Sequence, residues 1–381
     1  MRIGAALSTL SDPSEAAIEA ASAALDRLEG AGPSLTVLVA SREHAAAAET
    51  VLEVTRKVAG AERVIGCVAE VVVGGAREVD EGPAVSVWLA ALPEPPETFD
   101  LRFVRAGDGG VLAGYPIGSE VGPYLMVGDP FTFPMDHLLT YVNDRLPGTV
   151  VMGGMASGGL APGQTRLFLD DRVVEEGAVG ARLPGVRIHS LVSQGCRPVG
   201  SVYTVTRAEG NVIHELGGLP PHVRIQETME RLTLEDRVLV QQGLHIGRVI
   251  DPYKSEPVRG DFLVRGMIGS DPETGAIAVG DRIEVGESVQ FHIRDAATAD
   301  EDLRALLGQA PAGSAAGALL FTCNGRGTRL FSAPDHDAAL VSEMLGGPPL
   351  AGFNCAGEIG PVGGENFLHG FTASIALFTE G

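Results

Sequence analysis

Two hydrophobic periods alternate along this chain. Short apolar runs such as Leu35-Thr-Val-Leu-Val-Ala-Ser41, Tyr124-Leu-Met-Val-Gly-Asp129 and Ala318-Leu-Leu-Phe-Thr-Cys323 predict strands. Helical spacing follows, with Ala47, Val51, Val54 and Val58 on one face after the first run and Leu138, Val142 and Leu146 after the second. A second apolar run, each with a glycine inside it, comes next: Val64-Ile-Gly66-Cys-Val-Ala-Glu70, Val150-Val-Met-Gly153-Gly-Met-Ala-Ser157, and Leu350-Ala-Gly352-Phe-Asn-Cys-Ala-Gly-Glu358. Beyond each glycine turn, residues 84–89, 165–169 and 371–378 alternate like further strands.

The pattern therefore repeats three times. His137 to Gly153 and His336 to Gly352 are both 16 residues, and Gly66 to Val85 and Gly352 to Phe371 are both 19. The acid–histidine pairs Glu43-His44, Asp136-His137 and Asp335-His336 open the helices, where an acid suits the positive helix end; closing a helix start explains them without a ligand. The expected fold class is α+β: mixed β-sheets with flanking helices, built from strand-helix-strand-strand modules in two related halves. Between the second and third copies, 261–269 and 276–279 flank turn residues and predict a hairpin, 288–294 a strand, and Thr298 onward a helix with Leu303, Leu306 and Leu307 as its apolar face. Residues 92–96 and 308–317 are expected connectors. A domain change near residue 200 divides the chain into 1–200 and 201–381.

Composition narrows the function. The chain has 381 residues, with 28 basic against 49 acidic, a net charge of −21 that repels a nucleic-acid backbone. Lys57 and Lys254 are its only lysines, so no polybasic run exists to dock an anionic membrane. Without a secretory pattern or an apolar span, a cytoplasmic location is expected. Cys67, Cys196, Cys323 and Cys355 are far apart and expected reduced, and no CxxC or HExxH suggests a metal.

Candidate chemistry is densest near the C-terminus. Thr322-Cys-Asn-Gly-Arg-Gly327 and Gly352-Phe-Asn-Cys-Ala-Gly-Glu-Ile-Gly-Pro-Val-Gly-Gly364 are glycine-rich loops at strand ends, suited to present main-chain N–H groups to a small anion. Arg326 is a candidate bidentate countercharge. Neither loop matches a phosphate-binding Walker loop or a dinucleotide fingerprint, so no cofactor is implied. The candidate ligand-binding set is Cys323, Asn324, Gly325, Arg326, Gly327, Asn354, Cys355, Gly357, Glu358, Asn366 and His369. A cysteine thiolate activated by histidine and oriented by asparagine is the catalytic alternative, against the bland reading that the cysteines are buried small hydrophobes. Glu70, Ser157 and Glu358 end comparable glycine turns and either converge on related pockets or are solvated loop groups. In Gln194-Gly-Cys196-Arg197-Pro-Val-Gly200, a structural turn is expected.

With these motifs the chain resembles the FIST family, the F-box and intracellular signal transduction proteins. The N-terminal FIST domain resembles 32–195, including Val-Ile-Gly66-Cys and Gly82-Pro-Ala-Val-Ser86. The C-terminal one resembles 201 onward, marked by Thr206-Arg-Ala-Glu-Gly-Asn211, Gly260-Asp-Phe-Leu-Val-Arg265, Arg294-Asp295, Cys323-Asn-Gly-Arg-Gly327 and Gly357-Glu-Ile-Gly-Pro361. The resemblance implies a sensory module that binds a small ligand, an amino acid or another small carboxylate, and signals through a separate protein partner, since no output domain is visible. The alternative is a cysteine-dependent hydrolase or transferase of a small metabolite. Self-association is the default expectation for such an internally repeated protein.

Overall fold

The computed structural model describes residues 1–106, 109–114, 122–254, 256–310 and 315–379. It forms two compact units, one of residues 1–192, 304–368 and 372–381, the other of 193–303 and 369–371. The sequence division at 200/201 falls within the strand Cys196–Glu209, so compactness cuts the chain differently. Of the expected connector at 308–317, residues 311–314 lie outside the described residues.

Apart from residues 369–371, the three sequence repeats lie in the first unit. In each, two central strands run parallel: Leu35–Ser41 with Val64–Ala69, Tyr124–Gly128 with Val151–Met155, and Ala315–Cys323 with Leu350–Cys355. The crossover helices are Ala48–Ala59, Met135–Arg145 and His336–Met344. A return strand pairs antiparallel with each first central strand: Val85–Ala91, Ala178–Arg182 and Thr372–Thr379. The glycines mark equivalent places, since Gly66, Gly153 and Gly352 have φ of 152°, 143° and 156° and face Leu38, Met126 and Leu320 across the parallel pair. A Cβ at any of them would drive into the facing carbonyl oxygen, so only glycine fits.

The hairpin between each second central strand and its return strand is donated to another module. Val72–Gly74 and Arg77–Val79 of the first extend the third module's sheet beside Leu350–Cys355. Leu167–Leu169 and Arg172–Val174 of the second join the first module at Val64–Ala69. Glu358–Val362 and Glu365–His369 of the third join the second at Val151–Met155. The exchange closes a ring and covers three sheet edges that would otherwise be open to pairing. It also corrects one expectation: 165–169 is not the second module's own third strand, a place taken by Ala178–Arg182. Period-2 alternation marks a strand without marking its partner.

All three modules feed one core, where Val39, Cys67, Trp88, Val127, Met152, Phe321, Phe353 and Phe378 are buried together. On the first helix the inward face is Ala48, Val51, Leu52, Thr55 and Ala59, rotated from the expected stripe and leaving Val54 and Val58 partly buried. Leu138 and Val142 are buried as expected.

In the second unit, Cys196–Glu209, Val212–Leu216, Ile277–Val279, Phe262–Ser270, Leu244–Val249 and Ser288–Arg294 close, in that order, into a barrel. The expected hairpin and the 288–294 strand are both present, and the helix spans Ala296–Leu307 with Leu303 and Leu307 buried. The expected turn at 194–200 is strand instead, with a bulge between Val199 and Val202.

Candidate functional site

The ends of the three second central strands meet. The Glu70 N–H donates to Ser157 Oγ at 2.9 Å, Ser157 Oγ donates to the Asn354 carbonyl at 2.5 Å, and the Asn354 N–H donates to the Val71 carbonyl at 3.1 Å. One buried hydroxyl thus ties a residue from each module. Thr322 Oγ1 donates to Asn354 Oδ1 at 2.6 Å, orienting the amide, and the Asn324 N–H donates to the Cys355 carbonyl at 2.9 Å.

Two arginines close over this junction. Arg42 donates to the Ser157 and Gly158 carbonyls at 2.6 and 3.0 Å and pairs with Glu70 at 3.3 Å. Arg329 binds both Glu70 oxygens and donates to the Asn324 carbonyl at 2.6 Å. Burial alone would raise the Glu70 carboxyl, but the two guanidiniums hold it below its ordinary range. Both arginines escaped the sequence reading because their partners lie far away in the chain.

The Cys323–Gly327 loop lies beside this junction. Arg326 is buried, and its Nε and Nη2 donate to Asp337 Oδ2 and Oδ1 at 2.6 and 2.8 Å. The edge expected to receive a ligand is therefore spent on the fold. Arg326 Cζ lies 5.2 Å from the Phe331 ring centroid, and the same ring stacks at 3.5 Å on His336, whose Nδ1 meets Asp337 Oδ1 at 2.9 Å. Burial would raise Asp337, yet Arg326 and His336 hold it down to about 2.

Glu78, in the hairpin that the first module donates, enters the same cluster. Its Oε1 accepts from the Ala338 N–H at 2.8 Å in the first turn of the His336–Met344 helix, and its own N–H donates to Asp335 Oδ1 at 2.6 Å. The helix start is thus braced across modules, while Asp335 makes no side-chain cap; the acid–histidine pairs do not share the simple capping role. His44 is buried, His137 is exposed against Phe103, and His336 joins the Arg326 cluster. Burial first, then Asp337 and Asp80, push the Glu78 carboxyl up to about 7.

A Cβ on Gly327, at φ 58°, would sit 3.2 Å from Asp80 Oδ1, 3.4 Å from Glu78 Oε2 and 3.8 Å from Asn354 Nδ2, so the missing side chain lets these polar atoms gather closely around it. Among the described residues, Glu78 Oε2 and Arg326 Nη1 are buried without a hydrogen-bond partner. Opposite charges with open valences thus belong to one cluster.

The remaining candidates divide. Cys323, Asn324, Gly325, Arg326, Gly327, Asn354 and Cys355 are together at the ends of one parallel strand pair. Gly357 and Glu358 go with the donated hairpin, where Glu358 Oε2 accepts from the Thr372 N–H and hydroxyl. Asn366 braces Asn143, Thr149 and Val151, and His369 groups with the barrel unit. All four cysteines are buried, and none is in a disulfide. Burial pushes the Cys67 and Cys355 thiols up, with Glu358 adding to it at Cys355. Among the described residues no cluster of three or more His, Cys, Asp or Glu is placed to hold a metal, and no helix is long and apolar enough to cross a membrane.

Comparison with known proteins agrees with the motifs. The FIST N domain matches residues 34–219 and the FIST C domain residues 225–361. An uncharacterized protein of Mycobacterium bovis is 50% identical over 384 residues, covering 100% of this chain and 99% of that protein. An uncharacterized protein of Mycobacterium tuberculosis is 50% identical over the same length, covering 100% of both chains. The chain therefore belongs to the FIST family, whose domains are sensory domains of signal transduction.

Proposed function

We propose that this protein senses a small zwitterion, an amino acid in the first instance, at the cluster around Gly327, and reports it to a separate protein partner. The single observation behind this reading is the pair of buried open valences, Arg326 Nη1 and Glu78 Oε2. A carboxylate suits the first and an ammonium the second. Asp80 and Asn354 supply further polar atoms, and the arginine cover of Glu70 lies at the same strand ends. Isothermal titration of the full chain against amino acids, plain carboxylates and plain amines tests this. An amino acid is expected to bind more tightly than either half-ligand, and Glu78→Gln to erase the preference over the plain carboxylate. Equal binding of all three classes, or of none, ends the proposal.

A thiol-dependent transferase or hydrolase is the second reading. Cys323 favours it, since it heads the glycine-rich loop and its Sγ accepts from the Gly325 N–H at 3.4 Å. Iodoacetamide labelling decides: fast modification of Cys323 at neutral pH supports the enzyme, and an inert thiol removes it.

A further inference from the structure

The barrel unit holds a feature that sensing at Gly327 does not use. Along Ser288–Arg294, Val289, Phe291 and Ile293 point into the barrel core, so Gln290, His292 and Arg294 fall on the opposite face of the strand. His245 faces His292 in the neighbouring strand. The Phe371 ring stacks on His245 at 4.3 Å, and Arg294 Cζ lies 5.6 Å from the same ring centroid.

Four nitrogens in this group are buried without a hydrogen-bond partner among the described residues: Arg294 Nε and Nη2, His245 Nδ1 and His292 Nε2. His292 is fully buried. The two Arg294 atoms form the flat edge that binds carboxylates side-on. In Arg326 and Arg197 that edge is filled by Asp337 and by Asp295 with Asp236. Asp295, next to Arg294 in sequence, is thus turned to Arg197, and it also accepts from Thr298.

Backbone strain marks the same spot. Phe371 has φ of 66°, a left-handed conformation that strains a bulky residue. Its carbonyl is held by the Gly195 N–H at 2.9 Å.

We propose that the outer face of the barrel carries a site for a small monocarboxylate, received side-on by Arg294, with His245 and His292 as neighbouring donors and the Phe371 ring as one wall. Charge balance selects the class. Burial, with Arg294 adding to it at His245, holds both histidines down to about 4, so Arg294 supplies one positive charge. A monoanion is neutralised there, whereas a phosphate dianion leaves a buried charge uncompensated.

Fluoroacetate is a suitable probe, observed by fluorine NMR with the full chain at fixed ionic strength. Saturable line broadening is expected, reversed by acetate and not by equimolar inorganic phosphate. Arg294→Lys keeps the charge and loses the flat edge, and is expected to weaken binding by about tenfold or more. Arg294→Met abolishes it, with thermal unfolding confirming that both variants are folded. Glu78→Gln, in the other unit, leaves it unchanged, so this site and the Gly327 cluster fail separately. Absence of saturation, a Lys variant within about twofold of the parent, or displacement by phosphate as effective as by acetate overturns the proposal.

Discussion

Arg326 and Arg294 are the same side chain put to opposite uses. Arg326 closes its fork on Asp337 inside the three-module unit, leaving one terminal nitrogen over. Arg294, on the barrel, has its Nε–Nη2 edge buried without a hydrogen-bond partner among the described residues. In the sequence, Arg294 stands directly before Asp295, whereas Arg326, in Cys-Asn-Gly-Arg-Gly, is 11 residues from Asp337. What separates them is where the acid goes: Asp337 turns back on Arg326, while Asp295 turns away to Arg197. A fork filled by the fold is a structural part, and an open one costs stability, which in the proposal above a bound carboxylate offsets.

The largest test of this contrast is Asp337→Ala. It strands the Arg326 charge in the core and is expected to cost about 3–5 kcal/mol in urea unfolding. A loss under about 1 kcal/mol would mean that the pair does not hold the loop, and the contrast collapses.

Next in size is Glu78. Its carboxyl lies at about 7 in the fold, above its ordinary 4.5, so the folded state holds the proton more tightly than the unfolded chain. Stability from this group is full below about pH 4.5 and lost as pH rises through 7, a swing of up to about 3 kcal/mol. Glu78→Gln keeps an oxygen for the Ala338 N–H and is expected to flatten that slope and raise the melting temperature at pH 8. An unchanged slope between pH 5 and 8 would show that Glu78 does not titrate there.

The smallest effect sharpens the other side. Arg294→Met removes an open buried charge and is expected to leave stability unchanged or raise it by about 1 kcal/mol. A loss as large as that of Asp337→Ala would reveal a structural partner for Arg294 and place both arginines in one class.

The three copies offer a parallel lesson about legibility. Their strands, their crossover helices and the Gly66, Gly153 and Gly352 positions were readable because each depends on local period or on a steric demand that only glycine meets. The last residues of the first two modules' equivalent strand ends are held internally: Ser41 Oγ accepts from the Ala84 N–H, and Asp129 Oδ1 accepts from Thr165 at 2.6 Å. Cys323, the third, heads the loop where the candidate site lies. The sequence located that loop from its glycines. It did not reveal Glu78, which arrives on another module's hairpin, or Arg42 and Arg329, whose common partner Glu70 lies 28 and 259 residues away. Asn366 looked functional for its type and neighbours, yet its amide is consumed by Asn143, Thr149 and Val151.

The amino-acid order by itself determined the repeated modules, the net charge of −21 and the family, because periodicity, composition and short motifs are carried by neighbouring residues. Only the tertiary structure decided which sheet each hairpin joins, that 196–294 closes a barrel, and which arginine keeps an open fork. Those outcomes depend on pairings between distant segments, and a strand or a guanidinium carries no local sign of the partner it will meet.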